Sequence, residues 1–129
     1  MTKKEFLERL NGLGLNRSRF CIISGGTMLM YGLRSETNDI DIKMGVQYFE
    51  EIRKKFPVRK SPKFDYLYEL TDDVEVAVQE FDLKDTVMID GYLVESLELQ
   101  LAWKLKNGRA KDEPEIKRIQ KYLQENRTG

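Results

Sequence analysis

The sequence predicts an α+β fold, a mixed β-sheet with helices packed mainly on one face, built as one domain over residues 1–129. Three observations carry that prediction. Segments with apolar residues three and four apart alternate with short strands in the first half, strands then follow one another, and two helices close the chain. Asp90-Gly91, a strong hairpin-turn signal, stands between two short strand-like runs. Hydrophobic residues make up 40% and charged residues 34% of the sequence, a balance that suits a globular domain with its own core.

Each element follows from local signals. Thr2 is an N-cap with Glu5 at capping-box spacing, and Phe6, Leu7 and Leu10 give the stripe of a first helix that Asn11-Gly12 ends. Residues 20–23 read as a buried strand, and a short helix follows Gly25-Gly26 and stops near Gly32. Residues 38–44 alternate as a strand that Gly45 breaks. Phe49, Ile52 and Phe56 then mark a helix over 46–56, which Pro57 ends. After the Ser61-Pro62 loop, residues 64–70 and 74–78 form a hairpin about Asp72-Asp73. Its second strand puts Val74, Val76 and Val78 on one face and Glu75, Ala77 and Gln79 on the other. Residues 86–89 and 92–94 form a second hairpin. A helix over about 96–106 ends at Asn107-Gly108, and a last helix runs from Asp112 to about Gln124. Met28, Leu29, Met30, Tyr92, Leu99 and Trp103 read as core. No repeat or interdomain linker interrupts the chain.

Bulk properties exclude several function classes. With 22 basic and 22 acidic side chains the formal net charge is zero, which argues against sequence-blind nucleic-acid binding along the whole surface. There is no histidine, so an imidazole base and the usual zinc sites are excluded. The single cysteine, Cys21, lies in a buried strand and reads as a core thiol, and no intrachain disulfide can form. No run approaches the length of a membrane span, and MTKKEFLERL lacks an apolar signal core, so a cytoplasmic protein is expected.

The chemistry concentrates between Ser24 and Ile42, SGGTMLMYGLRSETNDIDI. On a strand, Asp39 and Asp41 project to the same side while Ile40 and Ile42 enter the core. Paired carboxylates repel unless a cation sits between them, and a hard cation such as Mg2+, or Mn2+ in its place, takes carboxylate oxygens and keeps open positions for phosphate. A strand–Gly-Gly–helix turn leaves backbone N–H groups free at Gly25 and Gly26, with Ser24 and Thr27 adjacent, and attracts phosphate. Other readings stand beside these: Asp39 and Asp41 on an exposed strand face, Gly25-Gly26 as a plain tight turn, Arg34 as surface charge. Thr37 bonds a phosphate or caps the turn. A phosphate cradle ahead of a carboxylate pair points to chemistry on a nucleotide.

These residues resemble the signature of the nucleotidyltransferase superfamily related to DNA polymerase beta: a strand, a Gly-Gly or Gly-Ser turn, a helix, then an Asp-x-Asp strand. Residues 32–42 most resemble bacterial and archaeal small nucleotidyltransferases, the abortive-infection toxin group among them. The likeness covers roughly residues 20–112 and implies a nucleotidyltransferase-like sheet. It implies Mg2+-dependent transfer of a nucleoside monophosphate from a nucleoside triphosphate to a hydroxyl. The acceptor would be a tRNA 3′ end, a protein or a small molecule, in a toxin–antitoxin or defence setting. It implies a third carboxylate, for which Glu69, Glu75 and Glu80 are candidates. Glu75, flanked by Val74 and Val76, matches the apolar–acid–apolar pattern, as a glutamate where the family often has aspartate, and would also be the general base. Arg34 reads as a guanidinium near the phosphates or the Asp strand. The likeness implies that Lys104 and Lys111, from Leu101-x-x-Lys104 and Arg109-Ala110-Lys111-Asp112, contact the triphosphate or the incoming base. Asp112 has a second reading, as N-cap of the last helix with Glu115 at the capping-box position. A homodimer or a cognate toxin or antitoxin would be the partner. The alternative is a catalytically weak nucleotide-binding or regulatory module of the same fold.

Overall fold

The computed structural model describes residues 1–126. Helix α1 (Lys3–Gly12) starts with the expected capping box: the Thr2 hydroxyl accepts the Glu5 N–H at 3.3 Å, and the Glu5 carboxylate accepts the Thr2 N–H at 2.9 Å. Strand β1 (Phe20–Ile22), helix α2 (Gly25–Met30), strand β2 (Ile40–Met44) and helix α3 (Val46–Ile52) follow. Then come β3 (Arg59–Lys60), β4 (Leu67–Thr71), β5 (Val74–Val78), β6 (Thr86–Ile89), β7 (Tyr92–Glu95), α4 (Leu97–Asn107) and α5 (Glu113–Glu125), with short 3-10 turns at Leu83–Asp85 and Ala110–Asp112.

The strands form one mixed seven-stranded sheet in the order β3-β4-β5-β2-β1-β7-β6. β2 runs parallel to β5 and β1 parallel to β7, while the remaining pairs are antiparallel. Asp90 and Gly91, both at positive φ, make the tight turn between β6 and β7 that their sequence announces. One face of the sheet is apolar: Phe20, Ile22, Ile40, Ile42, Met44, Val74 and Val76 pack with Phe6 and Leu10 of α1, Leu29 and Met30 of α2, and Phe49 and Ile52 of α3. A second cluster joins Met28 of α2 to Leu97 of α4 and Ile119 of α5. Helix α2 therefore ties the helical pair α4–α5 to the sheet, and the three adjacent residues Met28, Leu29 and Met30 are all buried.

Several elements depart from the sequence reading. β2 begins at Ile40, so Asp39 precedes the strand. The helix over 46–56 stops at Ile52 and passes into turns. The two-residue β3, whose side chains are both exposed, has no pattern to find. Leu99 and Trp103 are not core. The buried stripe of α4 is Leu97, Gln100 and Lys104, which turns Leu99 and Trp103 outward. Asp112 does not cap α5: its backbone is already helical and its side chain bonds elsewhere. Among the described residues, no helix is long and apolar enough to cross a membrane.

Candidate active site

A cleft of about 620 Å3 opens where the ends of β2 and β5 meet the Ser24–Gly25 turn, the loop after β3, helix α4 and the segment ahead of α5. Its floor follows from strand register. Asp41 on β2 is the direct neighbour of Glu75 on β5, so both carboxylates leave the sheet on the face opposite Ile40, Ile42, Val74 and Val76. Asp39 lies on the rim just ahead of β2. Burial first, then the negative charges of Glu75 and Asp39, push the Asp41 carboxyl up to about 6, against the opposing pull of the Lys63 ammonium. Of the three candidate glutamates only Glu75 lines the cleft. Glu69 lies opposite it on β4 and pairs with Arg59 at 3.2 Å, while Glu80 accepts the Val46 N–H at 3.2 Å and satisfies the start of α3.

The turn after β1 is held in an unusual backbone conformation. Ser24 has φ +57° and stands at the N-cap of α2 with no side-chain capping bond, and it lines the cleft. The Gln100 amide donates to the Ser24 carbonyl at 3.2 Å and fixes it from α4. The two glycines do different work. A Cβ on Gly25 would lie 2.5 Å from Arg34 Nη1 and 2.8 Å from Thr37 Oγ1, so this glycine makes room for the cleft's arginine. A Cβ on Gly26 would lie 2.6 Å from Ile22 Cγ2 and 2.9 Å from Phe6 Cζ, so that glycine lets α2 pack on β1 and α1. Gly26 and Thr27 are buried, and the Thr27 hydroxyl donates to the Ile22 carbonyl at 3.2 Å, away from the cleft. Thr37 is buried behind Gly25. Ser24 and Gly25 thus reach the cleft, whereas the side chains of Thr27 and Thr37 do not.

The opposite wall is cationic and already paired. Arg34 donates through Nε and Nη2 to Glu115 at 3.1 and 2.6 Å, which leaves Nη1 beside Gly25. Lys104, 6% exposed, lies 3.3 Å from Glu115 and 3.5 Å from Asp112. Arg109 donates to Asp112 at 2.7 Å and covers the Trp103 ring at 4.8 Å. Burial raises the Glu115 and Asp112 carboxyls, but Arg34 and Lys104 outweigh it at Glu115, and Arg109 and Lys104 outweigh it at Asp112. Both end below the ordinary carboxylate range. Lys111 is exposed on the rim and makes no ion pair among the described residues.

Sequence reasoning missed Gln100, Glu115, Lys63, Phe64 and Tyr66, all of which line this cleft. Gln100 and Lys104 had a usable signal, since they continue the helical stripe of Leu97 with polar residues, and buried polar side chains are the informative exception. Lys63, Phe64 and Tyr66 sit on an irregular loop and had none. The buried Lys43–Glu95 pair, at 2.9 Å, also borders the cleft. Beside it the Cys21 thiol is pushed up to about 12, by burial and then by Glu95, and is an inert core thiol as expected.

Asp39, Asp41 and Glu75 suit a hard divalent cation in donor type: oxygen only, and negative charge that Lys63 partly offsets. Among the described residues no group of three acidic or cysteine side chains is placed to hold a metal ion, so Asp39, Asp41 and Glu75 do not converge as a three-carboxylate site. Mg2+ can be held by one or two carboxylates with water and substrate phosphate, and the adjacent Asp41 and Glu75 offer that number.

No protein-family model matches the chain, and the comparison with curated proteins gave no match. Among solved structures, the chain is similar to a Thermotoga maritima protein described as a candidate nucleotidyltransferase. The TM-score is 0.60 and the identity 21%, over 98% of this chain and 97% of that one. At that identity the likeness establishes a nucleotidyltransferase-like fold.

Proposed function

We propose that the chain is a nucleotidyltransferase that moves a nucleoside monophosphate from a nucleoside triphosphate to a hydroxyl acceptor. The observation that carries this reading is the register pairing of Asp41 with Glu75 on adjacent parallel strands, at the floor of a cleft whose wall is the Ser24–Gly25 turn. The fold shared with the Thermotoga maritima protein supports the same reading.

The donor triphosphate would lie along the Gly25 turn. The backbone N–H of Gly25 heads α2 without an intrahelical partner, and Arg34 Nη1 stands beside this glycine. Lys104 and Lys111 add positive charge on the same side. Asp41 and Glu75, with Asp39 at the rim, would hold Mg2+ or Mn2+, which when bound would neutralise phosphate charge and lower the pKa of the attacking oxygen. Glu75 takes the acceptor's hydroxyl proton. The acceptor oxygen bonds to the α-phosphorus, the bond to the bridging oxygen breaks, and pyrophosphate leaves with the electron pair. The Gln100 bond to the Ser24 carbonyl keeps the turn in place throughout. A toxin–antitoxin setting rests on the resemblance of residues 32–42 alone.

One observation favours the second reading, a nucleotide-binding module with little turnover. Arg34, Lys104 and Lys63 already have carboxylate partners within the protein. Pyrophosphate release separates the two. On the enzyme reading, wild type releases pyrophosphate with Mg2+ and a hydroxyl acceptor, and Asp41→Ala does not while its circular dichroism is unchanged. An undiminished rate in Asp41→Ala contradicts the reading.

A further inference from the structure

The loop between β3 and β4 carries features the reaction above does not use. Phe64 is 54% exposed and Tyr66 38% exposed, and their rings stack on each other, with centroids 5.4 Å apart and planes at 15°. Both line the cleft. Large aromatic side chains left open beside a charged cleft contribute nothing to the core, and they offer a flat apolar surface to another ring.

This platform is fixed. Lys60 Nζ donates to the carbonyls of Ser61 at 3.2 Å and Phe64 at 2.6 Å. The Ser61 N–H donates to the Leu67 carbonyl, the Leu67 N–H to Phe64, and the Val78 N–H to the Tyr66 carbonyl. The buried Ser61 hydroxyl accepts the Lys63 N–H at 3.2 Å. A ring that docks here therefore meets a surface ordered in advance. The same loop supplies a cation: Lys63 Nζ lies 3.1 Å from Glu75 and its side chain is largely exposed. Ring platform, cation and candidate base thus line one cleft, with Lys63 joining the loop to Glu75.

Resting on the transferase reading, we propose that Phe64 and Tyr66 form the acceptor's ring-stacking subsite and that the acceptor is the end of a single-stranded nucleic acid. Its terminal base stacks on the aromatic pair, its sugar hydroxyl faces Glu75, and its last phosphate pairs with Lys63. A peptide hydroxyl brings no anion for Lys63, and an aliphatic or sugar acceptor brings no flat ring. The zero net charge fits a protein that grips only the end of such a chain.

The test uses the full chain, an RNA trinucleotide, the same trinucleotide with an abasic 3′ residue, and a tyrosine-containing peptide, each titrated without nucleoside triphosphate. The trinucleotide should bind wild type, and Phe64→Leu/Tyr66→Leu should weaken it about tenfold or more, the scale of lost base stacking. Loss of the 3′ base should weaken binding to wild type by a similar factor. Lys63→Ala should reduce the slope of log affinity against log salt by about 0.7, one single-strand phosphate. No trinucleotide binding to wild type overturns the proposal, as does binding indifferent to the double variant. So does peptide binding that the double variant abolishes while RNA does not bind. Binding of nucleoside triphosphate with Mg2+ to wild type is measured separately. Its absence would count against the transferase reading and leaves the trinucleotide result standing by itself.

Discussion

At the scale of single residues, Asp41 is the clearest point of tension. Its carboxyl titrates near 6 in the fold against an ordinary 3.8, so the native state holds the proton more tightly than the unfolded chain. Stability therefore falls as pH rises from 3.8 through 6 and stays lower above that. In the absence of divalent cation, Asp41→Asn should raise stability at pH 8 by roughly 2–3 kcal/mol, with little gain at pH 3.5, as read by urea unfolding. A variant less stable than wild type at pH 8 would show that the carboxylate is compensated within the protein. The glycine pair separates packing from binding. Gly26→Ala forces a methyl against Ile22 and Phe6 and should cost about 1–3 kcal/mol in the same assay. Gly25→Ala meets the Arg34 guanidinium and the Thr37 hydroxyl rather than the apolar core, so it should cost less stability than Gly26→Ala and, by displacing Arg34 Nη1, lose affinity for the triphosphate.

At the scale of elements, the junction of α4 and α5 is an ionic lock. Lys104, buried on α4, depends on Glu115 and Asp112. Glu115→Gln removes one of its two counter-charges and the partner of Arg34, and should cost about 2 kcal/mol, below the full cost of orphaning a buried charge because Asp112 remains. Both carboxyls are held below their ordinary range, so their contribution is complete above 4.5 and is lost as pH falls through the depressed values. Thermal melting of wild type should therefore drop more steeply below pH 4.5 than that of Glu115→Gln; parallel curves would refute the lock. This junction is also where sequence reading failed. The apolar residues of α4 lie all round the helix, so hydrophobicity selected Leu99 and Trp103, while the buried face is set by what Gln100 and Lys104 bond. The Asp112/Glu115 spacing of a capping box is likewise taken up by cations: Arg109, three residues away, binds Asp112, and Arg34 binds Glu115. Where local chemistry decides, sequence reading succeeded: the Thr2/Glu5 cap, the Gly108 stop of α4 and the Asp90-Gly91 turn all form as expected.

At the scale of the whole molecule, the fold class and the order of its principal elements were legible, but the sheet order was not. The parallel pairing of β2 with β5 and β1 with β7 joins segments far apart in sequence, and no periodicity encodes it. Glu75 was singled out through the resemblance, whose apolar–acid–apolar pattern Val74-Glu75-Val76 matches, and its alignment with Asp41 emerges only from the assembled sheet. The assembled cleft sets an acidic floor beside a cationic wall within a chain of zero net charge. The most direct test of that arrangement is calorimetric titration of the four nucleoside triphosphates with Mg2+ into wild type and the Asp39→Ala/Asp41→Ala double variant. A nucleotidyl-transfer site predicts binding of at least one triphosphate that requires Mg2+ and disappears in the double variant. Binding that survives without Mg2+ and without both aspartates, or no binding of any of the four to well-folded wild type, would contradict it.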